Sequence, residues 1–177
     1  MKRVFSWSTA RGILLGFALV ILLGSLLLSL PFAAADGKGV SYPDALFTAA
    51  SATCVTGLVT VTTATTWSWF GQAVILLLIQ IGGLGVVTVT VGMMLLFHRR
   101  LGLTHRLFIQ DSFNLDTLSG LVRFVKKVLL GTGIVEGIGA LCYLPAFLPR
   151  FGVRGIWVAV FQSVSAFCNA GMDLIGE

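Results

Sequence analysis

The chain is poor in charged residues, in histidine and in cysteine. Only 11% of its 177 residues are Asp, Glu, Lys or Arg, whereas about 25% is usual in soluble domains. So little charge excludes an ordinary soluble domain. The three cysteines, Cys54, Cys142 and Cys168, stand in apolar sequence contexts and are odd in number, so they do not indicate a disulfide framework.

The chain has only two histidines, and neither is placed to act as a catalytic base or a metal ligand. His98 and His105 both fall in a polar segment between apolar runs, where no serine or cysteine at membrane depth can use them as a base. Neither has cysteines or carboxylates at metal-ligand spacing. Gly131-Thr132-Gly133 lacks the third glycine of a dinucleotide fingerprint, and there is no P-loop. The sequence therefore predicts no enzyme and no covalently bound cofactor.

Long apolar runs are what the chain has instead, and its mean hydropathy is +0.97. Several runs reach the length that crosses a bilayer of about 30 Å as a helix. The runs are continuous rather than alternating, which excludes a transmembrane barrel and predicts an all-α membrane protein. The run from Gly12 to Leu30 is longer than the apolar core of a signal peptide. We therefore expect a retained helix over Gly12–Phe32.

Positive charge lies mostly on one side of the predicted membrane segments. The formal net charge of +5 also suits nucleic-acid binding, but the positions of the charges favour membrane topology. Three basic residues flank one side, and nine flank the side that the positive-inside rule assigns to the cytoplasm. The three are Lys38, Arg150 and Arg154, and the nine are Lys2, Arg3, Arg11, Arg99, Arg100, Arg106, Arg123, Lys126 and Lys127. We expect a multi-pass plasma-membrane protein with a cytoplasmic N-terminus, surrounded by lipid and without a nucleic-acid partner.

Helix-breaking residues divide the apolar sequence into full-length and half-length helices. Ser41 is suited to cap a helix with Pro43 in its first turn, and ten residues are too few to cross a bilayer. Pro145 and Pro149 are expected to end a second outward helix. The predicted order after the first helix is half-helix Pro43–Ala52, inward helix Phe70–Phe97, cytoplasmic connection 98–120, outward helix Leu121–Phe147 and half-helix Gly155–Ala166.

Small and acidic residues inside these helices have two interpretations each. Groups of glycines favour close helix packing, with a hinge as the alternative for the first group. An intramembrane carboxylate, Glu136, is a candidate functional group, and a hydrogen bond to a neighbouring helix is the other interpretation. The glycine groups are Gly82, Gly83 and Gly85, and Gly133 with Gly137.

An internal repeat relates the two half-helices. A shift of 114 residues superimposes Leu46–Gly57 on Val160–Gly171, with Phe, Ser, Ala, Cys and Gly recurring in register. Gly57 and Gly171 stand where backbone carbonyls must be aimed at an axis through dihedral angles that glycine adopts easily. We expect each half-helix to be followed by extended backbone that coordinates an ion. The predicted coordinating residues are Thr53, Cys54, Val55, Thr56, Gly57, Phe167, Cys168, Asn169, Ala170 and Gly171.

The predicted ion is a monovalent cation. Rings of backbone carbonyls replace the hydration shell of the ion in potassium channels, and the C-terminus of each half-helix adds about half a negative charge. The half-helices carry no acidic ring, whereas calcium normally recruits carboxylates. Asp173 either attracts cations at the pore mouth or is simply solvated. A monovalent cation held by backbone carbonyls is therefore the predicted cargo.

Several motifs, in order, resemble the Trk/Ktr/HKT superfamily of cation transporters, and the Ktr branch in particular. The similarity runs through nearly all 177 residues, and the order of the motifs makes it specific. The motifs are Ser51–Leu58 (SATCVTGL), Leu76–Gly85 (LLLIQIGGLG), Ile109–Asp111 (IQD), Leu118–Val122 (LSGLV), Glu136–Ala140 (EGIGA) and Phe161–Gly171 (FQSVSAFCNAG).

The resemblance implies four helix–pore-loop–helix units around one pore, each supplying a filter strand with a glycine. Gly57 matches the first filter glycine and Gly171 the second, and glycine rather than serine at the first position goes with potassium preference. Residues 1–97 then form the first unit, 98–120 a cytoplasmic connection, and 121–177 a second unit that stops after its pore loop. About one and a half of the four units are thus present.

The resemblance also implies partners and a location. The expected partners are a second copy of the chain and a cytosolic ring of nucleotide-binding regulatory subunits, and the expected location is the inner membrane of a bacterium. The expected function is potassium uptake across the cell membrane, as part of a longer chain. One alternative is a secondary transporter with re-entrant loops for another monovalent cation, although such folds usually show inverted repeats. The other is a truncated membrane protein that transports nothing, because two filter strands do not encircle an ion.

Overall fold

The computed structural model describes residues 2–85 and 121–176. The predicted helix beyond Gly85, the connection 98–120 and both histidines lie outside the described residues. Within them the chain is mostly helical. The elements are α1 (Lys2–Leu28), a 3-10 turn (Pro31–Ala33), α2 (Tyr42–Cys54), α3 (Thr63–Thr66), α4 (Trp69–Leu84), α5 (Leu121–Phe151) and α6 (Arg154–Phe167).

Two helices, α1 and α5, are long and apolar enough to cross a membrane. The segments with this property are Arg11–Leu28 and Val125–Phe151. Leucines on both helices point outward: Leu14 is 70% exposed and Leu141 66% exposed. Apolar side chains on the outer surface suit contact with lipid rather than water. The described structure therefore agrees with the predicted class of all-α membrane protein.

The first helix has different ends from those predicted. It begins at Lys2 instead of Gly12 and ends at Leu28 instead of Phe32. Pro31 accounts for the earlier end, because proline has no N–H to donate and its ring clashes with the carbonyl four residues earlier. The chain then turns through the 3-10 segment that Pro31 begins.

The prediction that two prolines end the second long helix was wrong. Pro145 and Pro149 both lie inside α5, which continues to Phe151. Membrane helices tolerate internal prolines when neighbouring groups compensate. Here the ring of Phe147 lies 5.7 Å from that of Tyr143 and 6.2 Å from that of Phe151. These contacts, each one turn long, connect the helix across both prolines.

Both predicted half-helices form, as α2 and α6. Helix α2 has 13 residues and α6 has 14, so each is about 20 Å long and neither can cross a bilayer of about 30 Å. Ser41 caps α2 as predicted, since its Oγ accepts the Asp44 N–H at 3.4 Å and donates to the Asp44 carboxylate at 2.5 Å. Pro43 lies in the first turn.

Helix α4 contacts both half-helices. It packs against α1 and α2, and also against α6, and it buries Ile75 and Ile79 completely. Ala45, Ala49 and Ala52 of α2 are likewise 0% exposed. Such small residues let helix backbones approach closely. The positions of α2 and α6 relative to each other therefore depend on α4.

Replacing Ser41 by alanine tests how α2 is fixed at its start. We expect a loss of about 1 kcal/mol of unfolding free energy at neutral pH, the usual cost of removing a serine cap. A hydrogen bond from Ser41 has the largest effect in holding the pKa of Asp44 below its usual value, and a hydrogen bond from Thr60 adds to it. Their stabilisation is present above the unfolded-state pKa and is lost as the pH falls through the folded-state pKa. The difference in unfolding free energy between the wild type and Ser41→Ala should therefore become smaller in acid.

Thermal unfolding of the purified protein in detergent, at neutral and acid pH, measures this effect. Ser29→Ala is the matched control. The Ser29 hydroxyl lies just after the end of α1, donates to the Leu26 carbonyl at 2.8 Å and caps no helix start. A Ser41→Ala variant as stable as this control at neutral pH would contradict the capping role.

Candidate functional site

Each half-helix ends in a loop with a defined backbone geometry. At the end of α2, the Val55 N–H donates to the Ala52 carbonyl at 3.4 Å and the Thr56 N–H donates to the Ser51 carbonyl at 3.0 Å. This pair of bonds is the Schellman motif, which satisfies carbonyls that a helix end leaves without partners. We call residues 55–62 the first loop and residues 168–176 the second loop.

The second loop begins with the same pair of bonds. The Asn169 N–H donates to the Ala166 carbonyl at 3.1 Å, and the Ala170 N–H donates to the Ser165 carbonyl at 2.8 Å. Each of these four residues lies 114 positions after its counterpart at the end of α2. The spacing of the sequence repeat is therefore also the spacing of these hydrogen bonds.

Both loops use left-handed backbone at equivalent positions. Val55 and Asn169 have φ values of 56° and 58°, and Gly57 and Gly171 have φ values of 75° and 67°. Glycine and asparagine tolerate this region, whereas a β-branched residue such as valine is strained in it. The first loop is therefore held in a conformation that Val55 disfavours, while the second loop is not strained at this position.

The two loops meet at their glycines. A Cβ atom added to Gly57 would lie 2.8 Å from the carbonyl oxygen of Ala170 and 3.2 Å from the Cα of Gly171. A Cβ atom added to Gly171 would lie 3.3 Å from the Cα of Gly57. Backbone thus faces backbone, with no room for a Cβ atom at Gly57 and little at Gly171. The loops that follow α2 and α6 come together at this contact.

Seven of the ten residues predicted to coordinate an ion lie in the two loops, and three lie in the helices. The expectation of extended backbone from Thr53 and from Phe167 was wrong, because α2 includes Thr53 and Cys54 and α6 includes Phe167. The capping bonds reach back to residues two and three before the end of α2, and one and two before the end of α6, and so keep the last residues of each helix helical. Thr53 is also fully buried, with its hydroxyl bonded to the Ala49 carbonyl at 2.7 Å.

Side chains hold the two loops in different ways beyond the shared capping bonds. The hydroxyls of Ser51 and Thr56 lie 2.9 Å apart across the first loop. Ser165, the counterpart of Ser51, instead donates to the carbonyl of Met172 at 2.5 Å. Met172 and Ser165 are each 1% exposed. The second loop is therefore anchored past its glycine by a buried hydrogen bond.

Asp173 is exposed and stabilises a turn of the second loop. Its carboxylate accepts the N–H of Ile175 at 3.0 Å and that of Gly176 at 3.4 Å. A carboxylate with these bonds and an open face remains available to solvent or to a passing cation. Within residues 2–85 and 121–176, no three or more His, Cys, Asp and Glu side chains are grouped to hold a metal ion.

Close packing at the glycines of α4 is confirmed at two positions. A Cβ atom on Gly82 would overlap the carbonyl oxygen of Thr53, and one on Gly83 would overlap the Sγ of Cys168. Gly85 follows the end of α4 with a φ of 81°, and the hinge alternative stays a prediction.

The packing predicted for the glycine pair of α5 stays a prediction. Added Cβ atoms at Gly133 and Gly137 have none of the described residues' atoms within 4 Å.

A polar cluster that the sequence analysis missed joins α4, α5 and the second loop. Gln80 Nε2 donates to Glu136 Oε2 at 3.2 Å, and Cys168 Sγ lies 3.9 Å from Gln80 Oε1 as a weak donor. The hydrogen-bond interpretation of Glu136 is therefore confirmed. The available signal was a single glutamine in the apolar run Leu76–Ile81, because a polar side chain at membrane depth requires a partner.

The sequence of the chain matches one family profile and several characterised proteins. The profile is TrkH, a cation transport protein, and it matches residues 17–177. The potassium/sodium uptake protein NtpJ of Enterococcus hirae is 40% identical over 163 residues, which are 92% of this chain. The Ktr system potassium uptake protein B of Bacillus subtilis is 42% identical over 161 residues, or 90% of this chain.

A third relative, the Ktr system potassium uptake protein D of Bacillus subtilis, is 34% identical over 178 residues and matches 99% of this chain. The matched part covers 36% of NtpJ, 36% of protein B and 40% of protein D. The chain therefore spans well under half the length of these relatives. All three have the names of transport proteins rather than enzymes.

Placing valine at position 169 and asparagine at position 55, each in a separate variant, tests the left-handed conformation of the two loops. Asn169→Val places a β-branched residue at a φ of 58°, and we expect it to lower the unfolding free energy by about 1–2 kcal/mol. Asn169→Gly is the control, since glycine adopts this region freely. Val55→Asn should raise stability, by less than the strain it relieves because Val55 also packs against the core.

Melting temperatures of the three variants, measured in one detergent, provide the comparison. Equal stability of Asn169→Val and Asn169→Gly would show that residue 169 is not held in the left-handed region.

Proposed function

This chain belongs to the TrkH family of cation transport proteins, and from that premise we propose that it forms part of a potassium-uptake pathway in a cell membrane. The ion-coordinating groups in this proposal are backbone carbonyls of Val55–Gly57 and Asn169–Gly171. Thr53, Cys54 and Phe167 at the helix ends, with Cys168 at the start of the second loop, complete the predicted set and position these carbonyls.

The observation that carries the proposal is the contact between the first and second loops at Gly57 and Gly171. Two loops with the same capping bonds and the same left-handed positions come together directly after two half-helices. Each helix C-terminus carries about half a negative charge, so the charges of α2 and α6 add in the same place. Such a place attracts a cation and supplies carbonyl oxygens to replace its water.

Potassium is the proposed cargo, and sodium is the second candidate. Carbonyl coordination without an acidic cage favours a monovalent ion over calcium. Two of the relatives are named for potassium uptake and one for potassium and sodium uptake. A membrane potential of 100 mV contributes about 2.3 kcal/mol for each unit charge, so we propose entry driven by this potential. Uptake that persists without the potential but requires a sodium or proton gradient would contradict this part.

The proposed assembly extends beyond this chain. Two loops do not surround an ion, so we propose that residues 1–97 supply the first of four units around the pore and that residues 121–177 supply the second unit as far as its pore loop. A second copy of the protein and a cytosolic ring of nucleotide-binding regulatory subunits are the proposed partners. The proposed topology puts the N-terminus in the cytoplasm, with the connection 98–120 on the same side, where regulatory subunits can reach it.

Replacing Gly57 by serine tests the proposed coordination. The new side chain would meet the carbonyl of Ala170 and a backbone that L-residues disfavour. We expect the ratio of potassium to sodium uptake to fall roughly tenfold, a change equivalent to about 1.4 kcal/mol. The measurement is ion uptake by a bacterial strain without its own potassium transporters, expressing the gene product that contains this chain.

Gly37→Ser is the matched control for the conformational cost. Gly37 also has a positive φ, of 70°, but no described atom lies within 4 Å of an added Cβ. An unchanged uptake ratio in Gly57→Ser, with normal expression, would favour the re-entrant secondary transporter. Absence of any uptake by the wild-type gene product would favour a protein that does not transport.

A further inference from the structure

We propose that Gly82 and Gly83 of α4 are positioning residues that set the separation of the two loops and, through it, the choice between potassium and sodium. This inference rests on the proposed function, because it takes the loops as the ion-coordinating elements. Neither glycine needs to touch the ion. We call the two residues the α4 seat.

Gly82 receives the end of the first half-helix. A Cβ atom on Gly82 would overlap the carbonyl oxygen of Thr53 and lie 2.8 Å from its carbonyl carbon and 3.2 Å from its Cα. These are backbone atoms two residues before Val55, so no change of rotamer can move them aside. A side chain at position 82 therefore has to displace the end of α2 and the first loop with it.

Gly83 receives the end of the second half-helix. A Cβ atom on Gly83 would overlap the Sγ of Cys168 and lie 2.7 Å from its Cβ and 3.3 Å from its Cα. Cys168 caps α6 and directly precedes Asn169, the left-handed residue of the second loop. A side chain at position 83 therefore displaces the start of the second loop.

The two contacts are made by adjacent residues of one helix, so the α4 seat can set the distance between the two loops. Consecutive residues of a helix differ by about 100° in direction and 1.5 Å in height, so Gly82 can face α2 while Gly83 faces α6. Cys168 is the repeat counterpart of Cys54, the residue directly after Thr53. The α4 seat thus contacts nearly equivalent positions of the two repeats. Because glycine has no side chain, no flexible group of α4 lies between the helix and these positions.

Gln80 adds a third contact to the same end of α4. A carboxylate oxygen accepts hydrogen bonds, so the bond to Glu136 turns the amide nitrogen of Gln80 toward α5 and its oxygen toward Cys168. Gln80 lies one turn before Gly83 on the same helix. Cys168 is therefore held between the glycine surface and the amide oxygen, which further restricts the second loop.

The central experiment compares alanine at the seat with alanine elsewhere. Gly82→Ala and Gly83→Ala should each change the ratio of potassium to sodium uptake by about tenfold, because small displacements of coordinating groups have effects of this size or larger. Gly133→Ala and Gly137→Ala are the matched controls, as helical glycines whose added Cβ atoms meet nothing among the described residues. The controls should keep the wild-type ratio.

A second-site substitution separates a specific displacement from general damage. Cys168→Gly removes the side chain that an alanine at position 83 would strike, so Gly83→Ala/Cys168→Gly should regain the ratio of Cys168→Gly alone. The same substitution should not rescue Gly82→Ala, whose obstacle is the backbone of Thr53. If Gly83→Ala does not fold, the yield of folded protein replaces the uptake ratio as the measurement. Gly83→Ala/Cys168→Gly should then fold, whereas Gly82→Ala/Cys168→Gly should not.

The outcomes distinguish this inference from the proposed function. A wild-type ratio in both seat variants, beside a changed ratio in Gly57→Ser, would overturn the seat and leave the coordinating loops standing. Equal rescue of both seat variants by Cys168→Gly would also overturn it. A wild-type ratio in Gly57→Ser would instead remove the proposed function on which the seat depends.

Discussion

The contact between two backbones at Gly57 and Gly171 is the constraint on which the other features depend. A Cβ atom at Gly57 would clash with the Ala170 carbonyl, one at Gly171 would be tightly packed against Gly57, and both residues have a positive φ, so glycine is favoured at both positions. Two backbones can meet in this way only when the preceding helices stop before the contact. The short length of α2 and α6 and the capping bonds that end them are consequences of this requirement.

Lipid imposes the second constraint, because it offers no hydrogen bonds to exposed backbone groups. The ends of α2 and α6 each turn two N–H groups back onto their own last carbonyls. Ser165 satisfies the Met172 carbonyl beyond the second capping bonds. In the proposed pathway, an ion would take the place of the missing partners of carbonyls in the two loops.

Local chemistry explains what could be predicted from the sequence. Ser41 and Pro43 mark the start of α2 without reference to the rest of the fold, and the spacing of 114 residues indicates two equivalent loops. The ends of helices were harder to predict. Pro149 does not break α5, which continues to Phe151 with a ring contact that spans the proline. Cys54 stays helical because the capping bonds of the next two residues reach back over it.

Tertiary contacts explain what could not be predicted. Gln80 and Glu136 are 56 residues apart, and nothing in either local sequence identifies the other as its partner. The glycines of α4 and α5 look alike in the sequence, yet Gly83 meets Cys168 while Gly137 meets none of the described residues. Which glycine packs depends on the arrangement of the helices, and the local sequence around a glycine does not specify that arrangement.

The most direct test of the account is to locate the ion. Crystals of the gene product that contains this chain, grown with rubidium or thallium as a potassium substitute, would show the heavy ion by anomalous scattering. The account predicts a peak within coordination distance of carbonyl oxygens in Val55–Gly57 and Asn169–Gly171. A fully occupied site at the carboxylates of Asp173 or Glu136, with no peak between the two loops, would contradict it.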